Sequence, residues 1–487
     1  MNVALLIIFA FLALSIYLGI RARRGKDMNL EEWSVGGRGF GTIFIFLLLA
    51  GEIYTTFTFL GASGWAYGRG GPAFYILSYG ALAYVMSYWL LPAVWRYATE
   101  NRLHSQSDFF VSKYRSTGLG VVISLVTVLA MVPYLAVQFQ GLGIIVSEAS
   151  YGSISSTLAV VVGVVAVTVY VIVSGIHGSA WTSTIKDVLV LVVIVFLGLY
   201  LPFALYGGIG EMFQQVNAEK PGFLALPAEG LSVPWFISTV LLTALGFYMW
   251  PHTFGSVFSA RSARIIRRNA TYLPIYQLVM LFAFFVGFAS ILQVPGLEGP
   301  EADLSLLRIS LETFDPWLVG LIGAAGLLAA LVPGSMLLMV SATVLSKNVY
   351  QAFRPGATEE QVVRLAKILV PLVALAGMVF SLASGLDLVL LLLLGYAFVT
   401  QLFPALLFSL LPNNFVTKWG AGAGVLTGVA IVAYLETFQI KLRAVFPALG
   451  ALGDTNVGIV AMLANIIVLL VVSLATRPST VAEEQRA

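Results

Sequence analysis

The stretch Gly51-Glu52-Ile53-Tyr54-Thr55-Thr56-Phe57-Thr58-Phe59-Leu60-Gly61 places a carboxylate and three threonine hydroxyls inside an otherwise apolar segment. An ionisable side chain near the middle of a bilayer costs about 2.5 to 3.5 kcal/mol on insertion scales, so it faces protein, water or a ligand rather than lipid. Glycine at either end lets the backbone leave the helix, and the freed carbonyls can coordinate a cation or a solute. The pattern is that of a broken membrane helix around a binding site.

The rest of the chain is apolar enough to place that stretch in a membrane. Of its 487 residues, 59% are hydrophobic and 10% are charged, against roughly one quarter charged in a soluble domain. A span needs roughly 20 apolar residues, and about thirteen such runs are present. They lie near 3–20, 39–67, 73–97, 118–147, 156–175, 185–206, 233–257, 272–294, 317–346, 363–384, 386–411, 420–438 and 455–475. A net charge of +3 is too small to suggest nucleic acid. The absence of cysteine excludes disulfides, thiol catalysis and cysteine metal sites.

The first run is followed, not preceded, by Arg21, Arg23, Arg24 and Lys26, the reverse of a cleaved signal. It is expected to be retained with its N-terminus outside a bacterial plasma membrane. Then Arg96, Arg102, Lys113, Arg115, Lys186, Arg261, Arg264, Arg267, Arg268, Lys347, Arg354, Arg364, Lys367 and Lys418 fall on the cytoplasmic side, as does the polar tail 477–487. Arg261 to Arg268 read as positive-inside anchoring with contact to membrane lipids. Only Lys441 and Arg443 run against the rule.

Two runs, 39–67 and 233–257, are longer than a span requires and carry polar residues beside glycine or proline. Both read as broken helices, five helices apart, as the first members of two inverted five-helix repeats would be. The expected fold is therefore all-α and polytopic, in one transmembrane domain. A leading helix and basic loop (1–30) precede the first repeat (39–206) and the second (233–411), and two further helices (420–475) and the tail follow.

Trp33-Ser34-Val35-Gly36-Gly37-Arg38, Gly61-Ala62-Ser63-Gly64-Trp65-Ala66-Tyr67, Ser107-Asp108-Phe109-Phe110-Val111-Ser112-Lys113-Tyr114, Lys186-Asp187-Val188 and Lys418-Trp419-Gly420-Ala421 together resemble the sodium:solute symporter family. The resemblance implies the leucine-transporter fold, a midplane site and alternating access. It makes the chain a transporter, not an enzyme, with a small-molecule substrate, no cofactor, and sodium or a proton as coupling ion. Glu52 to Gly61, Pro133 to Gly141, Pro251 to Ala260 and Ala330 to Ser335 are similar to the bacterial monocarboxylate permeases, implying lactate, pyruvate, acetate or alanine as solute. Uptake of another amino acid or a sugar, and a transporter-like membrane sensor, are the alternatives.

The family's sodium site takes carbonyls from the first core helix, here Gly51 and Tyr54, and a Ser-Thr pair that falls here at Pro333 and Gly334. Neither has a hydroxyl. Ser335, Ser341 or Thr343 could substitute, with sodium then held by Gly51, Tyr54 and Ser335; a helix broken at Pro333-Gly334 could supply carbonyls instead; or the driving ion is a proton handled by Glu52.

Glu52 itself admits three readings: a protonated structural carboxyl, a proton carrier, or an ionised group steadying sodium. Asp187 belongs either to the inner ion pathway or to the favourable electrostatics of a helix start. The candidate solute ligands are Tyr54, Thr55, Thr56, Thr58, Tyr134, Gln138, Gln140, Tyr248, Trp250 and His252. Amides and hydroxyls suit a carboxylate and the rings suit its methyl group, though any one aromatic could be packing alone and His252 a hydrogen-bonded structural residue. Gly61-Ala62-Ser63-Gly64 fits the Gly-x-Ser-Gly of an intramembrane protease, but small-residue runs mainly let membrane helices approach.

Overall fold

A computed structural model describes residues 2–23, 41–51 and 53–477, apart from the side chains of 19, 20, 22, 23 and 173–181. Glu52, the motif 33–38, the basic loop around Arg24 and Lys26, and tail residues 478–487 lie outside the described residues. What is described is helical. The first half holds α1 Val3–Arg23, α2 Thr42–Gly51, α3 Ala62–Arg69, α4 Tyr75–Glu100, α5 Gln106–Tyr114, α6 Thr117–Ala149, α7 Ser156–Tyr206 and α8 Ile209–Glu219. The second half holds α9 Val233–Gly246, α10 Pro251–Phe258, α11 Ala263–Tyr276, α12 Met280–Gln293, α13 Ser305–Thr313, α14 Pro316–Thr343, α15 Glu359–Ala383 and α16 Leu388–Val399. It ends with α17 Phe403–Ser409, α18 Lys418–Thr437 and α19 Val457–Ala475.

Among the described residues, nine helices are long and apolar enough to cross a membrane, or ten with one bent pair counted as a span. Val3–Leu18, Thr42–Gly51 and Ser156–Ile172 are apolar but shorter. By that measure the count stays below the expected thirteen. The runs expected at 156–175 and 185–206 form one helical stretch, α7, which cannot be straight. Tyr170 and Thr182 hydroxyls lie 3.1 Å apart, whereas twelve residues of straight helix rise about 18 Å. The stretch folds back on itself between them.

Both expected broken helices are broken. After α2, Thr55 N–H bonds to Ile53 O, not to the carbonyl of Gly51 four residues back. The helix resumes when Thr58 and Phe59 N–H both turn to Thr55 O, through a wide turn at Phe57–Gly61 that leads into α3. The second break follows from Pro251. A proline lacks an N–H and pushes its predecessor out of helical conformation, and Trp250 is extended (φ −65°, ψ 130°). The chain bends by 52° there.

Helices α6 and α14 pass through the centre of the bundle, and small residues set how closely they pack. A Cβ on Gly326 would stand 2.8 Å from Ile145 of α6 and 3.1 Å from Phe59 of the first break. Similarly, a Cβ on Gly141 would meet Thr56 Cγ2 at 2.5 Å. The same logic pins α18 to α19, where a Cβ on Gly424 would lie 2.4 Å from Asn465 Oδ1.

Candidate functional site

The carbonyls released at the first break are taken up by a lysine. Lys186 of α7 donates from Nζ to Gly51 O (3.1 Å) and Tyr54 O (3.3 Å) and pairs with Asp187 Oδ1 at 2.9 Å. An ammonium has three N–H donors, and these three acceptors complete its set. The other Asp187 oxygen accepts from Ser183 Oγ at 3.4 Å. Lys186 is 1% exposed, so its charge is buried in the bundle rather than presented to solvent. A buried ammonium persists only where it is paired and hydrogen-bonded, and this one is both.

The residues present do not fit a sodium ion at that position. A cation sharing the two carbonyls would stand about 3 to 4 Å from Nζ, where unit charges repel by roughly 4 to 6 kcal/mol at an effective dielectric of 20. Pro333 and Gly334 supply no hydroxyl. Ser335 Oγ donates to Val332 O at 2.7 Å, Thr343 Oγ1 to Met339 O at 2.8 Å, and Ser341 Oγ to Met131 Sδ at 2.8 Å.

Between the two breaks, α6 presents a polar and aromatic face. Thr56 Oγ1 donates to Gln138 Oε1 at 2.7 Å. Gln138 is fully buried, and its Nε2 has no hydrogen-bond partner among the described residues. Turning the amide over would leave its oxygen unpartnered instead, so one polar end stays available either way. Pro333-Gly334 passes beside it, with a Cβ on Gly334 3.5 Å from Gln138 Cβ. One turn along α6, the Tyr134 ring lies 4.9 Å from Trp250 and 5.7 Å from His252, centroid to centroid. Tyr396 of α16 closes on Trp250 from another side at 5.3 Å.

The expected solute ligands thus divide. Thr56, Tyr134, Gln138, Trp250 and His252 come together between the breaks. Thr55 and Thr58 serve the turn itself, Thr55 Oγ1 accepting from Phe57 N and Thr58 Oγ1 donating to Thr55 O. Tyr54 points away, its hydroxyl on Tyr276 O at 2.9 Å, and Tyr248 packs edge-on against Phe247. Gln140 donates to Leu386 O at 3.1 Å and ties α6 to the start of α16.

Two polar clusters lie beyond the breaks. On one side, a cavity of about 280 Å³ is lined by Trp65, Arg69, Lys220, Glu298, Asp303 and Asp387, among others. Asp387 accepts from Trp65 Nε1 (3.0 Å) and Leu390 N (2.8 Å), and Asp303 accepts from Leu388 N (2.9 Å). Burial, then the neighbouring Asp387 charge, pushes the Asp303 carboxyl well above the ordinary carboxylate range. On the other side, Asp108 of α5 caps its own helix through the N–H groups of His104 (3.1 Å) and Ser105 (3.0 Å). It also holds the Lys347 ammonium and accepts from Asn348 Nδ2 at 2.8 Å.

Sequence reading missed Lys186 as a site residue, although a lysine beside an aspartate at a span's edge was a visible signal. Tyr396 and the Asp303/Asp387 pair had no local signal.

A family model described as "Sodium:solute symporter family" matches residues 33–428. The chain is 62% identical over its whole length to the "Uncharacterized symporter YhjB" of Bacillus subtilis, covering 100% of both proteins. It is 26% identical to a "Monocarboxylate transport permease protein" of Rhizobium johnstonii, covering 96% of each. Among solved structures, a substrate-bound, outward-open Na+-coupled sialic acid symporter superposes with a TM-score of 0.77 at 16% identity, covering 98% of this chain and 99% of that one.

Proposed function

The chain belongs to the sodium:solute symporter family, and from that premise we propose that it imports a small monocarboxylate such as lactate, pyruvate or acetate. Its fold is the all-helical, leucine-transporter-like one; it is a membrane-embedded transporter, not an enzyme, and its uptake is cation-coupled. The single observation that carries the choice of solute is Gln138. A buried amide anchored at one end by Thr56 offers its free N–H groups to a carboxylate, and hydrogen bonds to charged groups contribute about 1.5 to 3 kcal/mol each. The rings of Tyr134, Trp250 and Tyr396 supply the apolar wall a two- or three-carbon acid needs. The named function of the Rhizobium johnstonii relative supports the same reading.

The protein sits in the bacterial plasma membrane with its N-terminus outside, and 39–206 and 233–411 act as the two rocking repeats. One cation crossing 100 mV supplies about 2.3 kcal/mol, roughly fifty-fold accumulation. A monoanion moving with a single cation carries no net charge and gains nothing from the potential. Accumulation then rests on the ion's own gradient or on a second cation.

The test is counterflow in proteoliposomes loaded with unlabelled L-lactate, pyruvate, acetate, L-proline or glucose. Exchange with labelled lactate is expected for the monocarboxylates alone. Exchange with proline or glucose and none with the acids would overturn the solute assignment, and no exchange with any solute would favour a sensor.

A further inference from the structure

We propose that the Lys186 ammonium is the resident cation of the first helix break, standing where the family's sodium ion would be held, so that solute uptake by this protein does not require sodium. Three features of the site support this. All three ammonium donors have acceptors, two of them the very carbonyls expected to hold the ion. The approach is built for the lysine, because a Cβ on Gly51 would stand only 3.0 Å from Nζ and 3.5 Å from Asp187 Oδ1, so a larger residue there would crowd the pair. The hydroxyls that would complete a sodium shell are replaced by Pro333 and Gly334, which carry none.

The arrangement differs from an ordinary structural ion pair in where it acts. A salt bridge between two regular helices would fix their spacing alone. Here the ammonium bonds to main-chain oxygens at the end of α2 (Gly51) and within the interruption itself (Tyr54), and so holds the broken conformation. A bound metal ion would do the same work, but it could leave. Lys186 remains attached to α7.

Two measurements on the full-length protein separate this idea from the monocarboxylate reading, on which only the second depends. In detergent, thermal unfolding is followed while sodium chloride replaces choline chloride at constant ionic strength. Wild type is expected to show no saturable rise in Tm, and a saturable sodium-dependent rise would overturn the proposal. In proteoliposomes, L-lactate counterflow is compared in sodium and in choline media for wild type and Lys186→Met. Equal wild-type rates in the two media and loss of exchange in Lys186→Met are expected. Sodium-stimulated wild-type exchange, or a Lys186→Met variant that keeps the wild-type sodium-free rate, would refute it. Should wild type exchange no lactate in either medium, the solute assignment fails while the thermal measurement still decides the role of Lys186.

Discussion

Cutting the Asp108–Lys347 contact should destabilise the protein by about 3 kcal/mol, from the cap and charge-assisted bonds it removes. Asp108 sits at the third position of α5, in a reciprocal capping box with Ser105, and loss of such a cap costs about 1 kcal/mol. Its carboxylate also bonds Lys347 and Asn348, which lie in the helical extension Val344–Tyr350 of α14. Lys347 and Asp108 are 14% and 20% exposed, so water screens the pair only in part. Of the total in Asp108→Ala, a double-mutant cycle with Lys347→Ala should assign about 1 to 2 kcal/mol to the pair. The assay is unfolding in mixed micelles at neutral pH.

The pH dependence has a definite sign. Burial raises the Asp108 carboxyl, but the Lys347 charge and the bonds from Lys347, Asn348 and His104 outweigh it and hold the group below its ordinary value. A carboxylate depressed in the folded state stabilises above its unfolded pKa of about 3.9, and that contribution disappears as pH falls through the lower folded value. The gap between wild type and Asp108→Asn should therefore persist down to about pH 4 and close below it. A coupling energy within about 0.3 kcal/mol of zero would show that the two residues are independent and refute the reasoning.

Gln138→Leu should raise the KM for the transported acid roughly 10- to 150-fold, the value of one hydrogen bond to a charged group, whereas Gln140→Leu should leave KM near wild type; initial-rate uptake distinguishes them. Asp303→Asn should raise Tm at pH 7, with the gain shrinking towards pH 4. A carboxyl raised in the folded state is fully stable only below its unfolded pKa and loses that stability as pH rises through the folded one. Gly287→Ala should destabilise by about 1 to 3 kcal/mol, because a Cβ there would fall 2.1 Å from Ser63 O on α3. Glu52→Gln should abolish accumulation driven by an imposed proton gradient while sparing exchange, and unchanged accumulation would remove Glu52 from coupling.

Both helix breaks were legible because their causes are local. Proline at 251 acts on the backbone within one or two residues, whatever the surroundings, and Gly51 ends α2 where expected, whereas Gly61 lies in ordinary helical conformation (φ −66°, ψ −40°) inside the resumed helix. Which polar side chains face the breaks was less so. Gln138 and Gln140 look equivalent in sequence, but residues two apart on a helix point about 200° from each other. One faces Thr56 and the other Leu386. Lys186 was hidden for a different reason. Counting basic residues at span edges assigns each to a loop, and only the fold-back of α7 against the first break turns this one inward. The Asp303/Asp387 pair joins residues far apart in the chain, which no local pattern announces.

A lysine at the break changes what can drive transport. A diffusible ion delivers work because its concentration differs on the two sides of the membrane, so that its binding favours one conformation at one face and is undone at the other. An ammonium attached to α7 has no concentration. On this proposal it holds the broken helix without drawing on any gradient. The gradient must then enter through a group that exchanges with solution during the cycle. Glu52 is the neighbouring ionisable residue in sequence, one position from the carbonyl that Lys186 holds. We propose that a proton taken up there couples the gradient to the cycle, so that the balance between the two conformations depends on which side supplies the proton. Sodium-free, proton-driven accumulation that Glu52→Gln removes and exchange that it spares are two consequences of that single arrangement.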